Sequence, residues 1–458
     1  MPSGNRTKKI NQVTALIKER RWKEVAALFS TLLPADKSDV YESLDPEQQQ
    51  ALLPVADAGD VADIIEQIED QDAALLAESL SPEVLVDVLS EMAPDEAANL
   101  LGDIRPELRR EVLTGLPEAE RIRPLLRYPD DTAGGLMTSD FYVFPEDSTA
   151  REMLRSLKSQ PTHDEEIPYI YAVDEHGRLT GVIRLADLLR AHPQEPLRTI
   201  AKAQIVSIGV DQDQELAARL LNRYDLMALP VVDEEGRILG VITADDAMEV
   251  LEQETTEDIY KRAGILSGKV KQPPKSDLLI RGPIWMVWAV RLPFLLITIV
   301  GGIMAGVVIE IFSDVIETVV ALALFIPVVM DMGGNAGLQS TSIFIRGYVL
   351  GHIDPNAFGK HILREIAIGL GMGALLGVLV GVFAALWQGM AAIGLVVGLS
   401  LTFTIAIATF LGFLIPFSLT KLGIDPAAGS GPLITTIKDI TGLFIYFGIA
   451  SLLLERLM

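Results

Sequence analysis

The chain has no cysteine, and it has few histidines and comparatively few basic residues for its length. Without cysteine it forms no disulfide, no thiolate zinc site and no cysteine nucleophile. The five histidines show no metal-ligand spacing. The sequence also shows no Walker motif, no Ser-His-Asp set and no pair of catalytic carboxylates. These absences argue against an enzyme.

The shortage of basic residues is confined to one half of the chain. There are 38 lysines and arginines against 62 aspartates and glutamates, so the 458 residues carry a formal net charge of −24. From residue 276 onward there are 8 basic and 10 acidic residues, which leaves −22 on residues 1–275. An acidic soluble half argues against nucleic acid and for cations as partners. Bound cations could then decide how tightly this half packs against its own repulsion.

The N-terminal sequence is polar and punctuated by short helical patterns. It contains no apolar segment typical of a cleavable signal, so we expect the first domain to stay in the cytosol. Capping residues and prolines recur at helix starts, as in Leu44-Asp45-Pro46-Glu47, Leu80-Ser81-Pro82-Glu83 and Met92-Ala93-Pro94-Asp95. Residues 1–132 are therefore predicted to form an acidic N-domain, an irregular superhelix of helical hairpins.

A strand–strand–helix pattern follows, and it occurs twice. In each copy two apolar strands flank a turn that ends in Gly-Arg, at Gly177 and at Gly236. A helix opening on aspartate comes next, with Asp187 in the first copy and Asp246 in the second. This duplication resembles a tandem of CBS domains, one over 133–198 and one over 199–254.

Five long apolar runs occupy the last part of the chain, 281–458, after a charged connecting helix predicted over 255–280. Each run is long enough to cross a bilayer. Basic residues flank the second and fourth loops between the spans, whereas the loop after the first span is acidic. The positive-inside rule then predicts a multi-pass protein of the cell (inner) membrane, with cytoplasmic N-terminal domains and the C-terminus outside. The runs lie near 284–309, 317–343, 361–386, 390–419 and 433–454.

Polar residues interrupt the second and fifth spans. In the second span, paired glycines and polar side chains between Pro327 and Ser340 predict a broken helix whose backbone lines a cavity. The alternative is close helix packing through small residues. In the fifth span, Asp439 is a carboxylate at membrane depth, which normally faces water or an ion path, and oxygen ligands suit Mg²⁺. The alternative is an interfacial carboxylate paired with Lys438.

These two motifs, together with the segment from Asp425 to Pro432 and the domain order, resemble the MgtE-type magnesium channels over nearly the whole chain. The resemblance implies a multidomain α, α/β and membrane-α protein: a helical superhelix N-domain, a tandem CBS (Bateman) module, a connecting (plug) helix and a five-helix transmembrane domain. It also implies a homodimer with one pore, in which Asp439 and its twin hold a largely hydrated Mg²⁺. Further candidates for the ion path are Thr435, Asn335, Ala336, Gln339 and Asp331.

The resemblance further implies that acidic side chains at cytosolic domain interfaces sense intracellular Mg²⁺. Below a threshold concentration, repulsion among them would separate these elements and release the pore. The alternative for each residue is an ordinary solvated carboxylate. The candidate ligands are Asp95, Asp225, Asp246, Glu249, Glu254, Glu257, Asp258, Asp425 and Glu215.

ATP is a second candidate ligand, because CBS clefts bind adenine nucleotides through a hydroxyl residue and an aspartate three positions later. Thr243 and Asp246 keep that spacing, whereas Arg184 replaces the hydroxyl before Asp187. The predicted function is a Mg²⁺-selective influx channel gated by intracellular Mg²⁺. The alternative is a CBS-regulated carrier or channel for another divalent cation such as Co²⁺ or Mn²⁺, since Asp331 and Lys438 depart from the family pattern.

Overall fold

The computed structural model describes residues 3–159, 169–265, 279–280, 282–349, 352–353, 358–426 and 430–457. The chain divides into two compact units, Met1–Glu252 and Gln253–Met458. The first unit holds all the strands of the described residues and most of the short helices. The second holds the long apolar helices.

Ten short helices open the first unit, and local signals in the sequence start many of them. The side chains of Asp45, Asp57 and Ser81 each accept a hydrogen bond from the backbone N–H three residues later, which caps the helix that follows. Proline stands in the first turn of five helices, where its missing N–H costs nothing. The helices are α1 (Ser3–Lys18), α2 (Trp22–Phe29), α3 (Pro34–Glu42), α4 (Pro46–Leu52), α5 (Ala58–Gln67), α6 (Asp70–Ser79), α7 (Pro82–Glu91), α8 (Pro94–Asp103), α9 (Pro106–Gly115) and α10 (Ala119–Ile122).

These helices stack in two layers. Helices α3, α5, α7 and α9 pack in succession on one side, and α6, α8 and α10 pack on the other. Each helix buries one apolar stripe, such as Leu85, Val88 and Leu89 of α7, in a shared core. This alternation is the superhelix of helical hairpins that the sequence predicts.

Two three-stranded sheets follow, with the same topology in each. In the first, β1 pairs with β2 in parallel and β2 pairs with β3 in antiparallel; β4, β5 and β6 repeat the arrangement. Gly177 and Gly236 take positive φ angles of 78° and 80° in the two hairpin turns. The strands are β1 (Tyr142–Pro145), β2 (Tyr169–Val173), β3 (Leu179–Arg184), β4 (Ile208–Gly209), β5 (Ala228–Val232) and β6 (Ile238–Thr243), and the helices are α11 (Ala133–Leu136), α12 (Ala150–Ser159), α13 (Leu185–Arg190), α14 (Leu197–Ile200), α15 (Gln214–Tyr224) and α16 (Ala244–Arg262).

The second sheet, and not the first, shares its core with the N-terminal helices. Leu229, Val231 and Ile242 belong to the same buried cluster as the apolar stripes of α5 to α9, whereas the first sheet has a separate core. The linker residue Thr138 also exchanges backbone hydrogen bonds with Val241 of β6, at 2.8 and 3.1 Å. The start of α16, which follows β6, is therefore held close to the N-terminal helices.

Helix α16 runs without interruption from the second sheet to Arg262. The sequence predicts a separate connecting helix from residue 255, but the structure shows that its first turns continue the last helix of the CBS pair. The part of that prediction between residues 266 and 278 lies outside the described residues.

Among its described residues, the second unit contains five helices long and apolar enough to cross a membrane. They expose large apolar side chains, among them Leu375, Val378 and Leu386 of α20, as expected of surfaces that meet lipid. A short helix, α18 (Ser313–Thr318), and a 3₁₀ turn, Val320–Phe325, precede the second span. The long helices are α17 (Ile284–Ile311), α19 (Ile326–Val349), α20 (Phe358–Gln388), α21 (Ala391–Lys421) and α22 (Ser430–Leu457).

The predicted break inside the second span is wrong. Helix α19 is continuous through Gly333, Gly334 and Gly337, and the irregular backbone lies before it, in the 3₁₀ turn. Pro327 occupies the first turn of α19, where a proline starts a helix without breaking it. The glycines allow close packing instead: a Cβ at Gly333 would lie 2.9 Å from Cγ2 of Thr404 on α21.

Helices α20 and α21 pack backbone against backbone. Gly369, Gly373, Gly377 and Gly381 of α20 are buried at every fourth position, and a side chain at Gly377 would overlap the carbonyl oxygen of Gly398 on α21. Thr402 of α21 closes the contact by donating its hydroxyl to the carbonyl oxygen of Gly373 at 3.1 Å. Close approach through small residues is the usual basis of helix association in a membrane.

This packing predicts that Gly377→Ala destabilises the membrane unit. The added methyl group has to push the two backbones apart, which we expect to cost about 1–3 kcal/mol. Gly371→Ala on the same helix is the matched control, because a Cβ there meets nothing within 4 Å. Thermal unfolding of the full chain in lipid nanodiscs measures both. Equal melting temperatures for the two variants would contradict the close contact.

Candidate metal and ion-conduction sites

Helix α19 exposes a row of polar side chains along a membrane span. Asp331, Asn335 and Gln339 are spaced by four residues and are all exposed in the single chain, and Ser342 and Arg346 continue the row. Ala336, also predicted to line the path, is buried at 8% exposure. Exposed polar groups at membrane depth need water or another polar surface. This row is therefore the part of the described membrane unit least compatible with lipid.

Asp439 lies half-buried on α22, one helical turn after Thr435. The hydroxyl of Thr435 donates to the carbonyl oxygen of Gly431 at 2.8 Å, so this side chain is engaged within its own helix. The preceding residue, Lys438, is 2% exposed, and its Nζ donates to the carbonyl oxygen of Gly334 on α19 at 3.0 Å. This hydrogen bond brings the polar motifs of the second and fifth spans together.

A second site lies in the first unit, where α8 meets the start of α16. Carboxylate oxygens of Asp95, Glu96 and Asp246 all lie within 4.8 Å of one another. Asp95 is 5% exposed, and its Oδ1 is enclosed without a hydrogen-bond partner among the described residues. A set of hard oxygen donors with an unsatisfied buried carboxylate fits a hard divalent cation such as Mg²⁺.

Burial and mutual repulsion dominate the electrostatics of this acidic cluster. Burial, followed by the charge of Asp95, raises the pKa of Asp246 to about 7. Burial likewise raises the pKa of Asp95, and it holds the pKa of Glu96 well above the usual range with the help of the charges of Asp95 and Asp246. Nearby Glu66, which accepts a hydrogen bond from the backbone N–H of Ala93, has its pKa raised by burial to about 6. Ionisation of these carboxylates is therefore unfavourable unless a cation joins them.

Other predicted ligands of the second CBS domain lie elsewhere. Asp225 ends α15 in the left-handed conformation, with φ of 50°, and Glu215 in the first turn of α15 forms an ion pair with Arg219. Neither belongs to the acidic cluster among the described residues. Glu249 lies one turn beyond Asp246 and contributes to the raised pKa of Glu96. Glu254 and Asp258 follow further along α16.

Within the second unit, a lysine joins two of the predicted ligands. Nζ of Lys261 lies 2.9 Å from Glu257 and 2.5 Å from Asp425, so an ammonium group links α16 to the loop before α22. Burial lowers the pKa of Lys261, but its hydrogen bonds to Asp425 and Glu257 outweigh burial and raise this pKa above the ordinary value. A positive charge of the protein thus occupies the position between Glu257 and Asp425.

The two predicted nucleotide positions differ in their contacts. In the second CBS domain the hydroxyl of Thr243 bonds Asp246 at 2.5 Å, which ties the nucleotide position to the acidic cluster. In the first, the guanidinium of Arg184 bonds Asp187 through two atoms, at 2.7 and 2.9 Å. That pairing lowers the pKa of Asp187. The arginine therefore satisfies the aspartate that a ribose would otherwise contact.

Sequence reasoning missed Glu96 and Glu66. The spacing Pro94-Asp95-Glu96 marks a helix start, where acidic residues are common for reasons of the helix dipole alone. Only the packing of α8 on the second CBS domain distinguishes Glu96 from the other acids at helix starts. Glu66 lies on α5, and nothing in the sequence pattern distinguishes it from the other acidic residues of the N-terminal helices.

Comparison with known proteins agrees with this architecture. Family models match as a divalent cation transporter over residues 326–449, as the MgtE intracellular N domain over 32–131 and as CBS domains over 133–193 and 197–253. The magnesium transporter MgtE of Thermus thermophilus is 40% identical over 336 residues, 73% of this chain and 72% of that protein. The magnesium transporter MgtE of Bacillus subtilis is 37% identical over 340 residues, 74% of this chain and 73% of that protein.

Two solved structures are similar to the soluble part. The soluble part of a magnesium transporter has a TM-score of 0.49 at 30% identity and covers 54% of this chain and 99% of its own. The cytosolic domain of the Mg²⁺ channel MgtE in complex with ATP has a TM-score of 0.49 at 32% identity and covers 52% of this chain and 99% of its own.

Fold, spans and family models together define a membrane transporter of divalent cations with a CBS-containing soluble part, and not an enzyme. The sequence identity of 40% and 37% to the two MgtE relatives, over 73% and 74% of this chain, specifies the family. The chain belongs to the MgtE family of magnesium transporters.

The raised pKa values predict that packing of α8 on α16 depends on pH when divalent cations are absent. The folded pKa of Asp246, about 7, lies above its ordinary value of 3.8, so the folded state binds more protons. Stability is therefore lost as the pH rises from near 4 to about 7, and the penalty is complete above that. We expect more hydrogen exchange in α8 and in residues 244–249 of the full chain at about pH 8 than at about pH 6, after correction for intrinsic rates.

Excess Mg²⁺ should remove that difference, because a bound cation favours the ionised carboxylates at either pH. Asp246→Asn should show a smaller pH effect than the wild type. Equal protection at the two pH values in the presence of a chelator would contradict the assignment.

Proposed function

We propose that the chain forms a homodimeric, Mg²⁺-selective channel for magnesium influx, with the ion path between α19 and α22 of the two copies. The exposed polar row on α19 carries this proposal. A single chain leaves Asp331, Asn335 and Gln339 uncovered in an apolar surface, whereas a second copy facing the same row would enclose a hydrated path. The N-terminal domains then lie in the cytoplasm and the C-terminus outside, as the loop charges favour.

Asp439 is the residue proposed to meet the ion. The hydrogen bond between Lys438 and Gly334 joins α22 to α19 at this level, and Asp439 and Asn335 are the residues that follow these two in the sequence. Two Asp439 carboxylates on the symmetry axis attract a divalent cation more than a monovalent one. Because Mg²⁺ gives up its water reluctantly, contact through water keeps binding weak enough for release.

Intracellular Mg²⁺ is proposed to regulate the path through the acidic cluster. Asp95 and Glu96 on α8 and Asp246 on α16 would hold the ion between the N-domain and the second CBS domain. Without the ion, repulsion among the three carboxylates loosens this contact. A bound Mg²⁺ offsets most of their negative charge. Since α16 continues from Asp246 to Arg262 as one helix, a change at its start is transmitted along the segment that leads to the membrane unit.

ATP is proposed as a modulator at the second CBS domain. The Thr243 hydroxyl and the Asp246 carboxylate keep the spacing that contacts a ribose, but they also bond each other, and Asp246 belongs to the acidic cluster. Nucleotide and metal would therefore share one carboxylate. Another divalent cation, such as Co²⁺ or Mn²⁺, is a second candidate substrate, because Asp331 adds an anionic oxygen to the exposed row.

Asp439→Asn tests the ion path. Removing both central charges should reduce Mg²⁺ influx by about tenfold or more, because the neutral amide attracts the hydrated cation far less. Influx is measured in proteoliposomes of the full chain loaded with a Mg²⁺ indicator. Asp314→Asn, an exposed acid between the first two spans, is the matched control and should conduct like the wild type. Undiminished influx in Asp439→Asn would remove the pore assignment.

Asp246→Asn tests the regulation. Loss of one carboxylate ligand should raise the internal Mg²⁺ concentration needed for half-maximal closure roughly tenfold. Current at low internal Mg²⁺ should not change, since the cluster is then empty. Glu234→Gln, an exposed acid in the hairpin of the same CBS domain, is the control. An identical closing concentration in Asp246→Asn and the control would refute this role.

A further inference from the structure

Lys438 is a buried cation in the fifth span, next to the proposed pore carboxylate. Its side chain is 2% exposed, and among the described residues its ammonium forms no ion pair within 4 Å. Its Nζ donates a hydrogen bond to the backbone carbonyl oxygen of Gly334, at 3.0 Å. A backbone carbonyl orients an ammonium but does not neutralise its charge.

The position of this ammonium is fixed by the packing around it. The aliphatic stem of Lys438 lies over Gly337, where any added Cβ would overlap its Cδ and Nζ. Gly337 is in turn pressed against α21, because a Cβ on Gly412 would overlap the carbonyl oxygen of Gly337. The hydroxyl of Thr341 bridges the same two helices by donating to the carbonyl oxygen of Gly412 at 3.0 Å. The lysine therefore occupies a slot shaped by three helices.

Packing alone does not account for a lysine in this slot. A methionine or leucine would fill the space over Gly337 without the cost of removing an ammonium from water at membrane depth. What the lysine adds is a positive charge at a fixed place, one residue from Asp439. Consecutive helical residues point about 100° apart, so the ammonium lies to one side of the half-buried Asp439 and is itself enclosed by protein.

We propose that Lys438 is a specificity-determining residue of the ion path. The inference rests on the proposed role of Asp439. In the dimer two carboxylates face the path while two ammonium groups lie beside them, buried in protein, so the fixed charge of this layer is close to zero. Monovalent cations then gain little electrostatic energy by entering the ion path. A divalent cation is attracted twice as strongly by the nearer carboxylates, so it still binds, but it leaves quickly.

Three substitutions separate the charge from the packing. Lys438→Met keeps the apolar stem and loses both charge and hydrogen bond. Lys438→Gln keeps a shorter donor for the Gly334 carbonyl and loses only the charge. Lys438→Arg keeps the charge. Mg²⁺ influx and Na⁺ leak are measured for the full chain in proteoliposomes, with little internal Mg²⁺ so that the acidic cluster is empty.

We expect both neutral variants to lower the Mg²⁺ concentration for half-maximal influx by about tenfold, and to leak Na⁺ in the absence of divalent cations. Lys438→Arg should resemble the wild type. If Lys438→Met melts earlier but both neutral variants keep the wild-type half-saturation and ion selectivity, the lysine is only a packing element and the proposal is overturned. Where Lys438→Met fails to fold, unchanged half-saturation and selectivity in Lys438→Gln overturn the proposal by themselves.

The outcome with Asp439→Asn distinguishes the two proposals. If Asp439→Asn conducts normally, the pore assignment fails whatever the lysine variants do. If Asp439→Asn loses influx and the neutral lysine variants behave as the wild type, the pore assignment stands and only the role of Lys438 is refuted.

Discussion

The scarcity of hydrogen-bond partners inside a bilayer governs the arrangement of the five spans. Several polar side chains there bond across helices: Ser340 donates to Glu365 at 2.5 Å, and Tyr446 donates to the carbonyl oxygen of Leu322 at 2.8 Å. Such bonds tie α19 to α20 and α22 to the 3₁₀ turn. The row that begins at Asp331 points outward instead. The membrane unit thus separates polar groups that hold helices together from polar groups that stay exposed.

In the first unit, the corresponding constraint is that buried charges need a partner of opposite sign. Lys37 is buried between Asp60 and Asp63, so a cation of the chain itself forms an ion pair with both of these acids of the N-domain. In the described part of the chain, no lysine or arginine forms an ion pair with Asp95, Glu96 or Asp246. The contrast supports the proposal that the second group, and not the first, binds an ion from solution.

Local patterns were sufficient to predict the five spans, the duplicated hairpins and the capped helices, because each depends on residues close in sequence. The break expected in the second span was wrong, since Pro327 begins α19 and the glycines serve packing. The grouping of Glu96 with Asp246 and the bond from Lys438 to Gly334 join residues more than 100 positions apart, at 150 and 104 positions. Such pairings follow from helix packing, which spacing along one helix does not encode.

The backbone contact between α20 and α21 has a mechanical consequence. With no side chains between Gly377 and Gly398, these helices have no intervening layer that could rearrange and let one slide past the other. They form a rigid pair within the membrane unit. Helix α19 also meets α21 through backbone at Gly337 and Gly412, so any widening of the membrane unit is left to α17 and α22, whose mutual contact runs through side chains such as Thr436 over Gly301.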